Sequence, residues 1–337
     1  MSKIVQFAEF GGPEVLRFND IDLGKPKAGE VKLAVKAIGL NRADALIRQN
    51  LYIETPQLPS RLGYDAAAEV IAIGPGVTSV SIGDQVLTIP TFSQAKYGIY
   101  GEEAIVPENA CWPWPKSLSS ESAACVGVQY TTVYFAFQNV AHIMPGDTVL
   151  LTAATGGVGI AAIQVAKEMG AIVIATTRKP DKMKALTDAG ADHVVITDEE
   201  DLAERVKSIT AGKGVKMVFD PIAGKMIPIL LDCLSPNGKC LVYGILDMSA
   251  PVVPMLPILS KNLTLSGYTV FAFTGYPSMG MPQQTEAIEA AKAFLVPRLA
   301  DGRLKPLVSE MFKLEQVVDA HRSLESNNQT GKIVLLV

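Results

Sequence analysis

The densest chemistry in the chain lies where an apolar strand, Val149-Leu150-Leu151-Thr152, runs into Ala153-Ala154-Thr155-Gly156-Gly157-Val158-Gly159 and then Ile160-Ala161-Ala162-Ile163-Gln164-Val165-Ala166-Lys167. Strand, glycine turn and helix in that order are what a dinucleotide-binding loop requires. Gly156 lets the backbone approach a pyrophosphate, and Gly159 lets the helix lie close to the strand. The N–H groups that open the helix then face the phosphates, so Thr155, Gly156, Gly157, Val158 and Gly159 form the expected loop. Ala154 stands where the first glycine of the fingerprint would be. The plainer reading is a tight turn with no ligand.

The next strand ends Ile174-Ala175-Thr176-Thr177-Arg178-Lys179-Pro180-Asp181-Lys182. A site for NAD places an acid at this strand end for the ribose hydroxyls. Thr177 occupies that position, Arg178 follows, and Lys182 lies one turn into the next helix. A missing acid with two cations favours the 2′-phosphate of NADP, so the expected cofactor is NADPH. Asp181, just after Pro180, suits a helix N-terminus better than a ribose. A solvated helix start is the alternative for the cations.

Other chemistry is sparse. Cys111, Cys125, Cys233 and Cys240 form no C-x-x-C pair and match no zinc-finger spacing, and His142, His193 and His321 lie far apart. The cysteines read as reduced, partly buried thiols of a cytoplasmic protein. The opening residues, Met1 to Phe7, do not read as a secretory signal. Thr148 to Ala166 is uncharged and long enough to span a bilayer, but the glycine loop inside it fits strand, turn and helix better.

These residues need elements to hold them. The chain has 337 residues, 48% hydrophobic and 19% charged, with a net charge of -4. That composition excludes a disordered chain and suits about two domains. It gives no electrostatic footprint for nucleic acid or a membrane surface. The first 125 residues read as short strands and turns: Val31 to Ala37 alternates, and Ala68 to Ile73 runs into Gly74-Pro75-Gly76. Asn41 to Gln49 reads as one short helix with Asp44 exposed, and Ser119 as a helix N-cap. From Asp147 on, strands alternate with helices: Val149–Thr152, Ile172–Thr176, His193–Ile196, Met217–Asp220, Lys239–Tyr243 and Leu263–Tyr268, with helices such as Val158–Met169 and Asp181–Ala189. Six such strands make an α/β, doubly wound parallel sheet. A helix over Gln283 to Asp301 and a final strand from Gly331 to Val337, returning to the first domain, complete the reading. Trp112 and Trp114 read as domain packing. Phe271, Phe273, Tyr276, Met279 and Met281 fit either an apolar lip for a flat substrate or an interface.

Taken in order, several segments resemble the motifs of one family. They are Gly39-Leu40-Asn41-Arg42-Ala43-Asp44 with Arg48 and Tyr52 beyond, Leu62-Gly63-Tyr64-Asp65-Ala66-Ala67-Ala68-Glu69-Val70, Gly83-Asp84-Gln85-Val86, the glycine loop, Gly190-Ala191-Asp192-His193-Val194 and Gly331-Lys332-Ile333-Val334-Leu335. The family is the medium-chain dehydrogenase/reductase superfamily, in its zinc-free quinone oxidoreductase branch, and the match spans essentially the whole chain. The resemblance implies a GroES-like β-rich catalytic domain from residues 1–125 and 272–337, and a Rossmann NADP-binding domain from residues 126–271. It implies an active cleft between them, and a homodimer formed through the Leu263–Tyr268 strand.

Zinc-dependent members carry a Cys where this chain has Asn41, a His where it has Tyr64 and a Cys near Val128, with Cys125 three residues away. None of the three positions here has a thiolate or imidazole, so the resemblance implies a zinc-free enzyme and no metal is expected. Without a Lewis acid, the acceptors that remain are electron-poor: quinones and α,β-unsaturated carbonyls. The resemblance offers Tyr52 as a proton donor, Asn41 as a ligand of the cofactor ribose or the substrate oxygen, and Tyr64 as a pocket wall. It places Thr132 beside the nicotinamide, and Gly244 and Ile245, at a strand's carboxyl end, are expected to let the backbone approach it. Capping, packing and turn roles are the bland alternatives. The rival functions are a trans-2-enoyl-thioester reductase and a non-catalytic NADPH-binding regulatory protein.

Overall fold

Val31, Leu33, Val35 and Ala37 are buried, while the residues between them keep some exposure, and this alternation builds the central strand of the first sheet. The computed structural model describes all residues, 1–337. They cluster into two compact units, one of Met1–Thr131 with Val270–Val337 and one of Thr132–Thr269.

In the first unit, β1 (Ser2–Phe7) and β2 (Leu16–Ile21) pair as a small antiparallel sheet. The main sheet begins with β3 (Glu30–Gly39) and β4 (Asp65–Ile73), followed by β5 (Gln85–Thr88), β6 (Glu103–Pro107) and β7 (Cys111–Pro113). Between β3 and β4 lies one short helix, α1 (Arg42–Arg48). Asp44 on this helix is fully buried, not exposed as its charge suggested. Its side chain turns inward because it caps the chain entering the helix and meets a buried tyrosine. Ser119 caps the helix Ser120–Ala123 by accepting from the Ser122 N–H. Trp112 is buried, and the Trp114 indole donates to the Leu118 carbonyl at 2.9 Å.

The second unit is a doubly wound sheet. Its strands are β8 (Thr148–Leu151), β9 (Ile172–Thr177), β10 (His193–Ile196), β11 (Val215–Asp220), β12 (Leu234–Val242) and β13 (Thr264–Gly267). All six are parallel, in the order β10-β9-β8-β11-β12-β13. The order reverses between β8 and β11, where ligands bind at the carboxyl ends in such sheets. Leu150, Ile174, Val195, Val218 and Cys240 bury completely between the sheet and its helices. Strand β12 starts five residues earlier than its apolar run indicated, because Asn237 takes a positive φ of 62° and carries the chain through an irregular register with β11. The uncharged stretch from Thr148 is β8, the turn and a helix, and no helix is long and apolar enough to cross a membrane.

The chain then completes the first unit. The long helix spans Thr285–Ala300. Strand β14 (Val308–Lys313) pairs in parallel with β15 (Lys332–Leu336), and β15 pairs antiparallel with β3. The last strand therefore returns to the first sheet and carries Lys332 beside the start of α1.

Candidate active site

In the second unit the loop after β8 opens the helix α2 (Gly157–Glu168), with Gly156 at its N-cap and no side chain capping it. No side-chain cap competes at the opening of this helix, the arrangement that suits an anion. A Cβ at Gly156 would meet nothing closer than 3.8 Å, so the backbone there faces open space. At Gly159 a Cβ would lie 2.4 Å from the Ala154 carbonyl oxygen, so only glycine allows α2 to pack this close. Ala153 holds φ at +45°, an unfavourable value for a residue with a Cβ, and so turns the chain sharply.

Thr177 ends β9 buried, and its hydroxyl closes a turn with the Lys179 backbone. No acid occupies this strand end. Arg178 and Lys179 are exposed and Lys182 is half-buried. Burial lowers the Lys182 pKa, and the positive charges of Arg178 and Lys179 lower it further, while Asp181 opposes them. Three cations that repel one another at a strand's carboxyl end form a site that an added phosphate would stabilise. At the end of β12, a Cβ on Gly244 would crowd Pro221 at 3.0–3.2 Å, and Ile245 is exposed. Thr132 is buried with its carbonyl accepting from the Tyr268 hydroxyl at 2.7 Å. The neighbouring Thr131 hydroxyl donates to the Gly127 carbonyl at 2.6 Å.

In the first unit, Asn41 precedes α1. Its N–H donates to Asp44 Oδ2 at 2.8 Å, while its amide turns away from the helix. Nδ2 donates to Asp65 Oδ2 at 3.1 Å and to the Gly39 carbonyl at 3.3 Å. Oδ1 accepts from the Lys332 ammonium at 2.7 Å. Lys332 also reaches Asp65 Oδ2 at 2.5 Å, and Asp65 Oδ1 accepts from the Val128 N–H at 2.8 Å. Carboxylate and ammonium thus fix which end of the amide is which. Both N–H donors of Asn41 are spent, and its remaining capacity is a lone pair on Oδ1. The positions where the resemblance would put zinc ligands, Asn41, Tyr64 and Val128, supply an engaged amide, a phenol and a backbone N–H. The anion among them, Asp65, already holds an ammonium. This donor set does not fit a zinc ion. Cys125 is buried, and desolvation pushes its thiol up to about 12.

A cluster of phenols surrounds Tyr64. Its ring lies 5.5 Å from Phe92 and 5.8 Å from Phe271, and Phe271 lies 4.5 Å from Tyr276. The Tyr64 hydroxyl is buried without a well-formed hydrogen bond, although the hydroxyls of Tyr52 and Tyr276 are close enough to couple to it. Tyr276 donates to Glu54, whose two oxygens also accept from the Ser93 hydroxyl at 2.7 and 2.8 Å. Burial raises all three phenols far above the ordinary value. The nearby acids Asp44 and Glu54 raise Tyr52 further, and the bond to Glu54 raises Tyr276. They therefore stay protonated as donors at neutral pH. Of the five residues considered as an apolar lip, Phe271 and Tyr276 are buried in this cluster, while Met279 is exposed.

Asp44 links these groups to the core. Its Oδ2 also accepts from the Tyr100 hydroxyl at 2.9 Å, and its Oδ1 is buried without a partner. Beyond Tyr100, the ring of His321 stands at 5.8 Å with both nitrogens unpartnered, and burial pushes it down to about 3. Glu54, Ser93, Asp65 and Lys332 have no place in the sequence reading of the site. Only the buried-looking G-Y-D run and the final G-K dipeptide hinted at the last two.

Comparison with known proteins places the chain. Residues 157–286 match the zinc-binding dehydrogenase family and residues 27–116 the alcohol dehydrogenase GroES-like domain. A quinone oxidoreductase of Pseudomonas aeruginosa is 32% identical over 338 residues, covering 100% of both chains. Quinone oxidoreductase 1 of Escherichia coli is 34% identical over 340 residues, again covering 100% of both. The crystal structure of Escherichia coli quinone oxidoreductase complexed with NADPH superposes with a TM-score of 0.88 at 30% identity, covering 99% of this chain and 100% of that one.

Proposed function

The chain belongs to the medium-chain dehydrogenase/reductase superfamily, in its quinone oxidoreductase-like branch, and from that premise we propose that it is an NADPH-dependent, zinc-independent reductase of quinones and related α,β-unsaturated carbonyl compounds. The observation that carries the acceptor class is the phenol cluster, whose hydroxyls stay neutral donors. Such donors suit acceptors that need hydrogen bonds rather than a Lewis acid.

When bound, the reduced nicotinamide supplies a hydride. The chain's own residues do the rest. Thr155, Gly156, Gly157, Val158 and Gly159 offer the loop and helix N-terminus for the pyrophosphate, and Arg178 and Lys182 the charge for a 2′-phosphate. Thr132, Gly244 and Ile245 would line the nicotinamide. Asn41 acts as an acceptor, which suits a sugar hydroxyl and not a carbonyl oxygen. Tyr52 and Tyr64 donate to the acceptor's oxygen as negative charge grows there, and Tyr52 gives up the proton. Replacing Tyr52 by phenylalanine should lower kcat by about a hundredfold, the smaller end of general-acid effects. Full turnover on every acceptor would remove Tyr52 from the chemistry.

The protein is further proposed to act in the cytoplasm as a homodimer joined at β13. That strand is the sheet's edge, and the preceding segment leaves Val252, Leu256 and Leu259 each more than 70% exposed. A bare apolar edge of this kind favours pairing with a second copy. Light scattering should give a dimer's mass; a monomer at all concentrations would contradict it.

A further inference from the structure

Glu54 is the charged member of the phenol cluster, and its charge is uncompensated. Its oxygens accept hydrogen bonds from the Tyr276 and Ser93 hydroxyls, and no cation pairs with it. The cations on the neighbouring segment are committed elsewhere: Lys96 lies over the Tyr97 ring at 4.6 Å, and the Arg61 guanidinium donates to the Lys96 carbonyl. Tyr276 itself is fully buried, so the carboxylate is anchored to the packed interior of the cluster. Beside it the Tyr64 hydroxyl is buried without a well-formed hydrogen bond.

We propose that Glu54 selects the charge of the acceptor, so that the site takes neutral conjugated carbonyls and rejects those carrying a carboxylate. The inference rests on reading Tyr52 and Tyr64 as donors to the acceptor. An acceptor whose oxygen sits on those phenols brings any carboxylate of its own near Glu54. There the two like charges repel across the half-buried edge of the cluster. Discrimination then comes from a built-in repulsion rather than an added contact. The field of Glu54 already reaches the cluster, since its charge helps to raise Tyr52 and Tyr276.

The test compares an enone ester with its own free acid, methyl 4-oxo-2-pentenoate and 4-oxo-2-pentenoate, which differ at the carboxyl end alone. Glu54→Gln keeps an oxygen to accept from Tyr276 and Ser93 but removes the charge. Its acid-to-ester ratio of kcat/KM should rise about tenfold over wild type, the factor expected for one like charge at several ångströms. Glu54→Asp should keep the wild-type ratio. An unchanged ratio in Glu54→Gln would overturn the proposal. A second arm needs no turnover: calorimetric binding of benzoate and methyl benzoate to the protein. Wild type should bind the ester at least about tenfold more tightly, and Glu54→Gln should narrow that gap. Wild type binding both equally overturns the proposal even if the variant does not fold. Turnover of neither enone by any variant would defeat the proposed reaction, and the binding arm would then judge Glu54 alone.

Discussion

Replacing Asp44 by asparagine should change how stability depends on pH. Asp44 is fully buried, accepts the Asn41 N–H at 2.8 Å and the Tyr100 hydroxyl at 2.9 Å on one oxygen, and has no partner on the other. Burial raises its pKa from 3.8 to about 7, against the smaller opposing effects of those two hydrogen bonds and of Lys332. The folded protein thus holds a proton that the unfolded chain releases. The stability tied to that proton is complete below about pH 4, falls as pH rises, and is fully lost above about pH 7. Three pKa units at about 1.36 kcal/mol each give a loss on the order of 4 kcal/mol. Asparagine is neutral at every pH, and its amide oxygen can accept both hydrogen bonds. Near pH 4 the variant should lie within about 1 kcal/mol of wild type, the scale of one altered hydrogen bond. By pH 8 it should be the more stable by a few kcal/mol. Urea unfolding followed at a series of pH values measures the difference, provided the m values agree. A difference that stays flat, or falls with rising pH, would refute the reasoning, because Asp44 would then be held as an anion.

Two more substitutions test the cofactor unit. Arg178→Ala should raise the Kd of NADPH at least about tenfold while leaving NADH nearly unchanged, the cost of one charge-assisted phosphate contact; equal effects on both would reject the 2′-phosphate role. Gly159→Ala puts a methyl group 2.4 Å from the Ala154 carbonyl oxygen, so thermal melting should show a loss of about 1–3 kcal/mol, and an unchanged melt would mean that α2 does not pack as described.

The sequence showed most clearly what depends on neighbours along the chain. The strand–glycine–helix order, the parallel strands and the Ser119 cap are local patterns, and each is found in the structure. Asp44 misled because a carboxylate on a short helix normally faces water, whereas here a buried hydroxyl and a backbone N–H await it. Glu54 and Lys332 were illegible for a different reason. Their partners Tyr276 and Asp65 lie 222 and 267 residues away, so only the folded sheet brings them together. The sequence shows that Asn41 is polar, but which of its atoms stays available follows only from Lys332 and Asp65 on either side.

The central claim is tested most directly by following oxidation of NADPH, with NADH in parallel, by protein treated with a strong zinc chelator. The acceptors are a simple quinone, a short enone and a trans-2-enoyl thioester. The account predicts turnover of the quinone or enone that prefers NADPH and survives chelation. Activity lost with zinc, preference for the thioester, or tight NADPH binding without turnover of any acceptor would contradict it.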